Sequence, residues 1–243
     1  MNTNIRIIFL GRSFGEIVRE KLKAAGFQIV NPESKEVDLT VVACYGKILP
    51  KEMLKIPKHG ALNVHPSLLP KYRGPAPVPT TILNGEEETG VTIILMDEQA
   101  DHGPVLAARE FSNGLGKPTT PELSKILWEL GGDLLVETIP KWIAGEITPQ
   151  EQDHSKATYT KKLAREDGRI DWNRPVEYIE RQVRAFTPWP GAFTFWKGKR
   201  VKILEAHIEQ GKLVIDELQL EGKKSATFHD FLLGHPDFIM PSE

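Results

Sequence analysis

Within "ALNVHPSLLPKYRGPAP", residues 61–77, an Asn and a His stand two apart in an otherwise apolar run. A strand turns successive side chains to opposite faces, so Asn63 and His65 share one face. Neither residue favours a strand, and each carries polar groups that burial penalises unless they are engaged. The pair suits one kind of chemistry. An Asn amide offers N–H donors to a developing oxyanion, and an imidazole offers proton transfer or a second donor. Asp101, in "EQADHGP", lies in the loop between two later strands. If those strands flank the Asn–His strand, its carboxylate can reach the imidazole, orient it and keep it charged. The competing reading is a hydrogen-bonded core histidine beside an aspartate that serves a turn. Convergence of the three side chains decides between them.

The stretch that follows, "PSLLPKYRGPAP", holds four prolines and excludes a helix. A proline-braced loop after a functional strand suits the presentation of backbone N–H groups to a ligand; an ordinary surface loop is the alternative.

The elements that must position these residues follow from periodicity. "IRIIFLG" reads as a buried strand, "SFGEIVREKLKAAG" as an amphipathic helix stopped at Gly26, and "FQIV" as a short second strand. "DLTVVACYG" is nearly all apolar, as a parallel strand covered on both faces should be. A short helix in "ILPKEMLKIP" precedes the Asn–His strand. "TTILNGEEETGVTIILM" reads as helix, turn and strand, and "ADHGPVLAAREF" returns as another strand. A long helix follows from "TPELSKILWEL" onward, with Thr120 expected as N-cap and Pro121 at the first helical position. Strands alternating with helices predict a Rossmann-like, doubly wound α/β domain over residues 1–150. Residues 151–166 fall in a polar, aperiodic stretch and read as a linker. Residues 167–243 read as a small β-rich domain, with a helix in "PVEYIERQVRAF" and strands in "GAFTFW", "KRVKILEAHI" and "KLVIDELQL". The first turn, "GRSFGE", is not G-x-G-x-x-G and lacks the acidic partner of a dinucleotide site.

The composition excludes several classes. The chain has 243 residues, is 40% hydrophobic and carries a formal net charge of −2, which gives no global pull toward nucleic acid or anionic membrane. The C-terminal part is mildly basic. Cys44 is the single cysteine, so a disulfide framework is out and a cysteine-based zinc site is disfavoured. "MNTNIRIIFLG" lacks the pattern of a signal peptide, and no window has the length of a membrane span, so a cytoplasmic protein without membrane contact is expected.

"NVHPSLLPKYRGPAP", "NGEEETGVTIILMDEQADHGPVLA" and "FTPWPGA" resemble the signature blocks of the methionyl-tRNA formyltransferase family, part of the folate-dependent formyltransferase superfamily. "KKLAREDGRIDWNRPVEYIERQVRAF" and "LQLEGKKSATFHDFLLG" extend the resemblance over most of the chain, and these C-terminal blocks narrow it. The resemblance implies that Asn63, His65 and Asp101 are the catalytic set, and that Ser67, Leu68, Leu69 and Pro70 line a tetrahydrofolate site. It implies formyl transfer from the co-substrate 10-formyltetrahydrofolate to the amine of initiator methionyl-tRNA, without a metal, by a monomer. It also implies an OB-like second domain, here with fewer strands than the full five.

Two departures stand out. The family's Asp-Thr-Gly is Asp-His-Gly here, which puts His102 beside Asp101. The family also has a strand–helix segment, with a basic loop that enters the tRNA acceptor stem, where this chain has only "FQIVNPESKEV". That loss favours a rival acceptor, such as an amino-sugar nucleotide; a non-catalytic folate or RNA binder is the alternative of another class. Basic residues of the linker and second domain (Lys161, Lys162, Arg165, Arg181, Arg184, Lys199, Arg200, Lys223 and Lys224) could contact phosphates in place of the loop. Trp189 could stack on a base or anchor packing.

Overall fold

The computed structural model describes residues 4–34, 36–47, 49–112 and 117–238. Two compact units are formed. One holds Met1–Pro77, Glu87–Gly114 and Leu123–Lys161; the other holds Val78–Glu86, Leu115–Glu122 and Lys162–Glu243.

The first unit is built on a six-stranded sheet of order β2-β1-β3-β4-β5-β6. Its strands are β1 (Arg6–Gly11), β2 (Gln28–Val30), β3 (Leu39–Ala43), β4 (Ala61–His65), β5 (Glu88–Leu95) and β6 (Val105–Ser112). The first four are mutually parallel, as the alternation of strands and helices predicts. β5 runs antiparallel to both its neighbours, β4 and β6, which departs from a purely parallel doubly wound sheet. For the β5–β6 pair the reason is the loop 96–104, which is too short for a crossover between adjacent parallel strands.

β3 is buried along its whole length, in keeping with its unbroken apolar sequence. β1 is less covered than its sequence suggests: Ile7 and Ile8 are buried, but Phe9 and Leu10 only half. The helix α1 (Gly15–Ala24) links β1 to β2, but residues 31–38 carry the chain from β2 across β1 to β3 without a helix among the described residues. Lys35 of that stretch lies outside the described residues. Asp38 holds the crossing in place. Its backbone N–H donates to the Arg6 carbonyl at 2.9 Å, and its carboxylate accepts from the Arg6 N–H at 2.8 Å.

The short helices α2 (Lys51–Leu54) and α3 (Pro77–Asn84) precede β4 and β5, and the helix α4 (Thr120–Ile143) buries Leu123, Leu127, Leu134, Leu135 and Ile139. It approaches the sheet closely at Gly131, where a Cβ would stand 2.6 Å from a Val64 methyl and 3.0 Å from Val91. The expected cap is displaced by one residue. Glu122 accepts from both the N–H and the hydroxyl of Thr119, whereas the Thr120 hydroxyl donates to the Ala185 carbonyl. Thr119, not Thr120, therefore closes the helix start.

In the second unit, β7 (Ala192–Trp196), β8 (Lys199–Glu209), β9 (Lys212–Leu220) and β10 (Ser225–Thr227) form an antiparallel sheet of order β10-β9-β8-β7. The helix α5 (Val176–Phe186) places Ile179 and Val183, one turn apart, into a core shared with Val201, Ile203 and Leu218. Arg181 and Arg184, sequence candidates for phosphate contact, are engaged within this unit. Arg181 donates to the Leu83 carbonyl, and Arg184 grips buried Glu180 through two nitrogens. Among the described residues no helix is long and apolar enough to cross a membrane.

Candidate active site

β4 sits between β3 and β5, with Asn63 beside Val42 on one side and Ile94 on the other. Val64 points at α4, as the close approach at Gly131 shows. The strand's period then turns Asn63 and His65 to the opposite face. The loop 96–104 brings Asp101 over that face. Asp101 Oδ1 accepts from Asn63 Nδ2 at 3.0 Å and stands 3.4 Å from His65 Nδ1. Its Oδ2 accepts from the Gly74 N–H at 2.7 Å. The three residues singled out in the sequence thus converge on one carboxylate oxygen.

His65 is 4% exposed. Its Nε2 lies 2.9 Å from the Tyr72 carbonyl, an acceptor, so Nε2 carries the hydrogen. Its Nδ1 faces a carboxylate. Both ring nitrogens therefore face acceptors. Tyr72 and Asp101, which provide those acceptors, both adopt left-handed backbone, with φ of 60° and 50°. Such values are uncommon for residues other than glycine, and most of all for a bulky one.

Of the four folate candidates, Ser67 is fully buried and its hydroxyl donates to the Lys71 carbonyl at 2.7 Å. Its carbonyl accepts from Thr92 Oγ1, which in turn accepts from the Leu69 N–H. This small network shapes the loop, leaving Leu68, Leu69 and Pro70 half-buried. His102 does not join the three converging residues. Its Nδ1 meets Asp97 at 2.6 Å, and its ring stacks on His154 at 4.1 Å.

Several structural partners of the site escape a motif reading. Arg73, in the proline-braced loop, is 1% exposed. Its guanidinium donates to Gln152, Tyr159 and His154. Thr158 and Thr160 accept from the N–H groups of Tyr72 and Ala76. The spacing of the two threonines in "ATYT" is the one sequence signal for this, since alternate residues of an extended segment share a face.

Cys44 follows β3, and burial pushes its thiol up, which keeps it protonated and a poor nucleophile. Among the described residues, no cluster of three or more His, Cys, Asp or Glu side chains could hold a metal. Trp189, by contrast with a packing anchor, is 56% exposed.

The arrangement suits stabilisation of an oxyanion beside a proton-transfer group, and comparison with known proteins gives it context. Residues 28–139 match the family model described as formyl transferase. Residues 162–213 match the formyl transferase C-terminal domain. The methionyl-tRNA formyltransferase of Roseiflexus sp. (strain RS-1) is 48% identical over 193 residues, which are 79% of this chain and 58% of that protein. That of Thermodesulfovibrio yellowstonii is 40% identical over 236 residues, 88% of this chain and 76% of that one. The chain therefore spans only part of the curated relatives it matches. Among solved structures, methionyl-tRNA formyltransferase from Clostridium thermocellum superposes with a TM-score of 0.68 at 19% identity, over 89% of this chain and 98% of that one; at this identity the likeness speaks for the fold.

Proposed function

The chain belongs to the formyl transferase family, and from that premise we propose that it transfers a formyl group from 10-formyltetrahydrofolate to the amine of initiator methionyl-tRNA. The observation that carries this reading is the meeting of Asn63, His65 and Asp101 at a single carboxylate oxygen.

In the proposed reaction, the acceptor amine attacks the formyl carbon and the formyl oxygen takes up the negative charge. The second N–H of the Asn63 amide is the donor placed to receive it, and the His65 imidazolium, held by Asp101 and the Tyr72 carbonyl, contributes its positive charge beside it. Preorganised donors of this kind cost no reorganisation when charge develops. Asp101 balances the imidazolium charge and, through a water, assists removal of the amine proton. The carbon–nitrogen bond to the folate then breaks, and its nitrogen is protonated as tetrahydrofolate leaves. The folate is held by the loop 66–77, through its backbone and the half-buried Leu68, Leu69 and Pro70. The Ser67 hydroxyl shapes the loop from inside rather than reaching the ligand.

A second acceptor is favoured by one observation. Only residues 31–38 join β2 to β3, so no long basic loop is available there to enter an acceptor stem. An amino-sugar nucleotide would need no such loop. The deciding experiment supplies purified protein with 10-formyltetrahydrofolate and either charged initiator tRNA or an amino-sugar nucleotide. Formylmethionyl-tRNA is the expected product. Formylation of the sugar alone would replace the acceptor and keep the chemistry; transfer to neither would remove the reading.

A further inference from the structure

We propose that residues 150–160 form a strap that positions the catalytic histidine, with Gln152 and Arg73 as its positioning residues; this rests on the reading of His65 and Asp101 above. His65 is held from both sides, by the Tyr72 carbonyl at Nε2 and by the Asp101 carboxylate at Nδ1. Both holding residues sit in left-handed backbone, φ 60° and 50°. Strained conformations of this sort persist only where their surroundings over-determine them. Here the surroundings are the strap.

At Asp101, Gln152 Nε2 donates to the Asp101 carbonyl at 3.0 Å and to the Gly103 carbonyl at 2.6 Å. The same side chain's Oε1 accepts from Arg73 Nη2 at 2.6 Å and Nε at 3.2 Å. All the hydrogen-bonding capacity of the amide is used, and the guanidinium forbids its flip, because Arg73 has only donors. Arg73 Nη2 also donates to His154 Nδ1 at 2.8 Å, and Nη1 donates to the Tyr159 hydroxyl at 3.2 Å. An amide, a phenol and an imidazole thus surround a guanidinium that is 1% exposed, with no carboxylate in contact among the described residues. A buried cation so placed is expensive. It locks the Gln152 amide in the one orientation that can hold the Asp101 turn.

At Tyr72, the strap pairs with the loop itself. The Tyr72 N–H donates to Thr158 Oγ1 at 2.8 Å, the Arg73 N–H to the Thr158 carbonyl at 2.9 Å, and the Thr160 N–H to the Arg73 carbonyl at 2.7 Å. One segment therefore fixes both acceptors that flank the imidazole, from a part of the chain about 50 to 90 residues away in sequence from each contact it makes.

The test uses Gln152→Glu in the full chain. This change keeps the acceptors for Arg73 and replaces the N–H groups that hold the Asp101 turn with a carboxylate oxygen. Thr158→Val, which removes the acceptor for Tyr72, is the second variant. Two readouts are taken: formyl-transfer kinetics, and the 15N signals of the His65 ring. A misplacement of about 1 Å can cost roughly 10²-fold in rate. The expected result is kcat lowered by about 10- to 10²-fold with KM for the formyl donor unchanged, and His65 ring signals displaced toward those of Asp101→Asn. Folded variants with wild-type kcat and unmoved His65 signals would overturn the proposal. If the wild type transfers formyl to no acceptor, the functional reading fails on its own. The ring signals then still decide the strap: displaced by Gln152→Glu or Thr158→Val they support it, and unmoved in both they refute it.

Discussion

At the residue scale, the carboxylate of Asp101 is a hub with donors on both oxygens. Asn63 and His65 approach Oδ1, and the Gly74 N–H binds Oδ2. Asp101→Asn replaces one acceptor oxygen with an N–H₂ group, which sets donor against donor whichever way the amide turns. We expect the fold to persist, most activity to be lost, and the pH–rate profile to change; steady-state kinetics from about pH 5 to 9, spanning the range in which an imidazole titrates, measure it. A variant with the wild-type rate and profile would take Asp101 out of the mechanism. In the proposed mechanism Asn63→Ala deletes the oxyanion donor and His65→Ala the positive charge beside it, and a loss of roughly 10²–10³ in kcat is expected for each. Folate binding by titration should stay near wild type. What the sequence disclosed at this scale was the pair of polar residues on one strand face and the acidic loop. It could not disclose Gln152 or the buried state of Arg73, because both depend on which distant loops meet, and neither follows from periodicity.

At the scale of elements, α4 sets the site by covering the opposite face of β4. Two adjacent glycines on that helix separate packing from propensity. A Cβ at Gly131 would lie 2.6 Å from a methyl of Val64, which is buried and stiff at χ1. Overpacking of this sort costs about 1–3 kcal/mol, more than the ~1 kcal/mol that Gly→Ala returns in a helix. A Cβ at Gly132 would meet the Lys21 stem at 2.6 Å, and that flexible side chain can move away. Gly131→Ala should therefore lower stability and Gly132→Ala should raise it, both read by urea denaturation. Equal shifts would mean that the packing of α4 on β4 is not what ranks them. The helix itself is plain in the 3.6-residue apolar period of its sequence. Its cap was misplaced by one residue, because Thr119 and Thr120 are chemically alike and only the reach of Glu122 and the Ala185 carbonyl tells them apart. The antiparallel direction of β5 against β4 was likewise unreadable, since an apolar strand looks the same in either direction.

At the scale of the whole molecule, if tRNA is the acceptor, attraction to it has to come from exposed cations outside the short 31–38 connection. Lys162, Lys199, Lys223 and Lys224 are exposed, whereas Arg181 and Arg184 are taken up by internal partners. If tRNA is the acceptor, its affinity should fall with salt at a log–log slope of about −0.7 to −0.9 per phosphate contacted. Replacing those four lysines with Gln should weaken binding and flatten the slope. A slope unchanged by the replacements would place the contact elsewhere. The same short connection has a kinetic side. β2 is three residues long and lies at the sheet edge, and among the described residues no helix follows it before β3. Asp38 anchors the end of its tether through the Arg6 N–H, a hydrogen bond that holds its carboxyl below the usual value. That contribution is complete above an unfolded carboxyl value of about 3.9 and disappears as the pH falls through the lower, folded one. Opening of β2 should therefore be a local event with its own free energy, well below that of global unfolding. In native-state hydrogen exchange, the amides of β2 should lose protection before those of β3 and β4, and the gap should widen on acidification below about pH 4, where Asp38 begins to take up its proton.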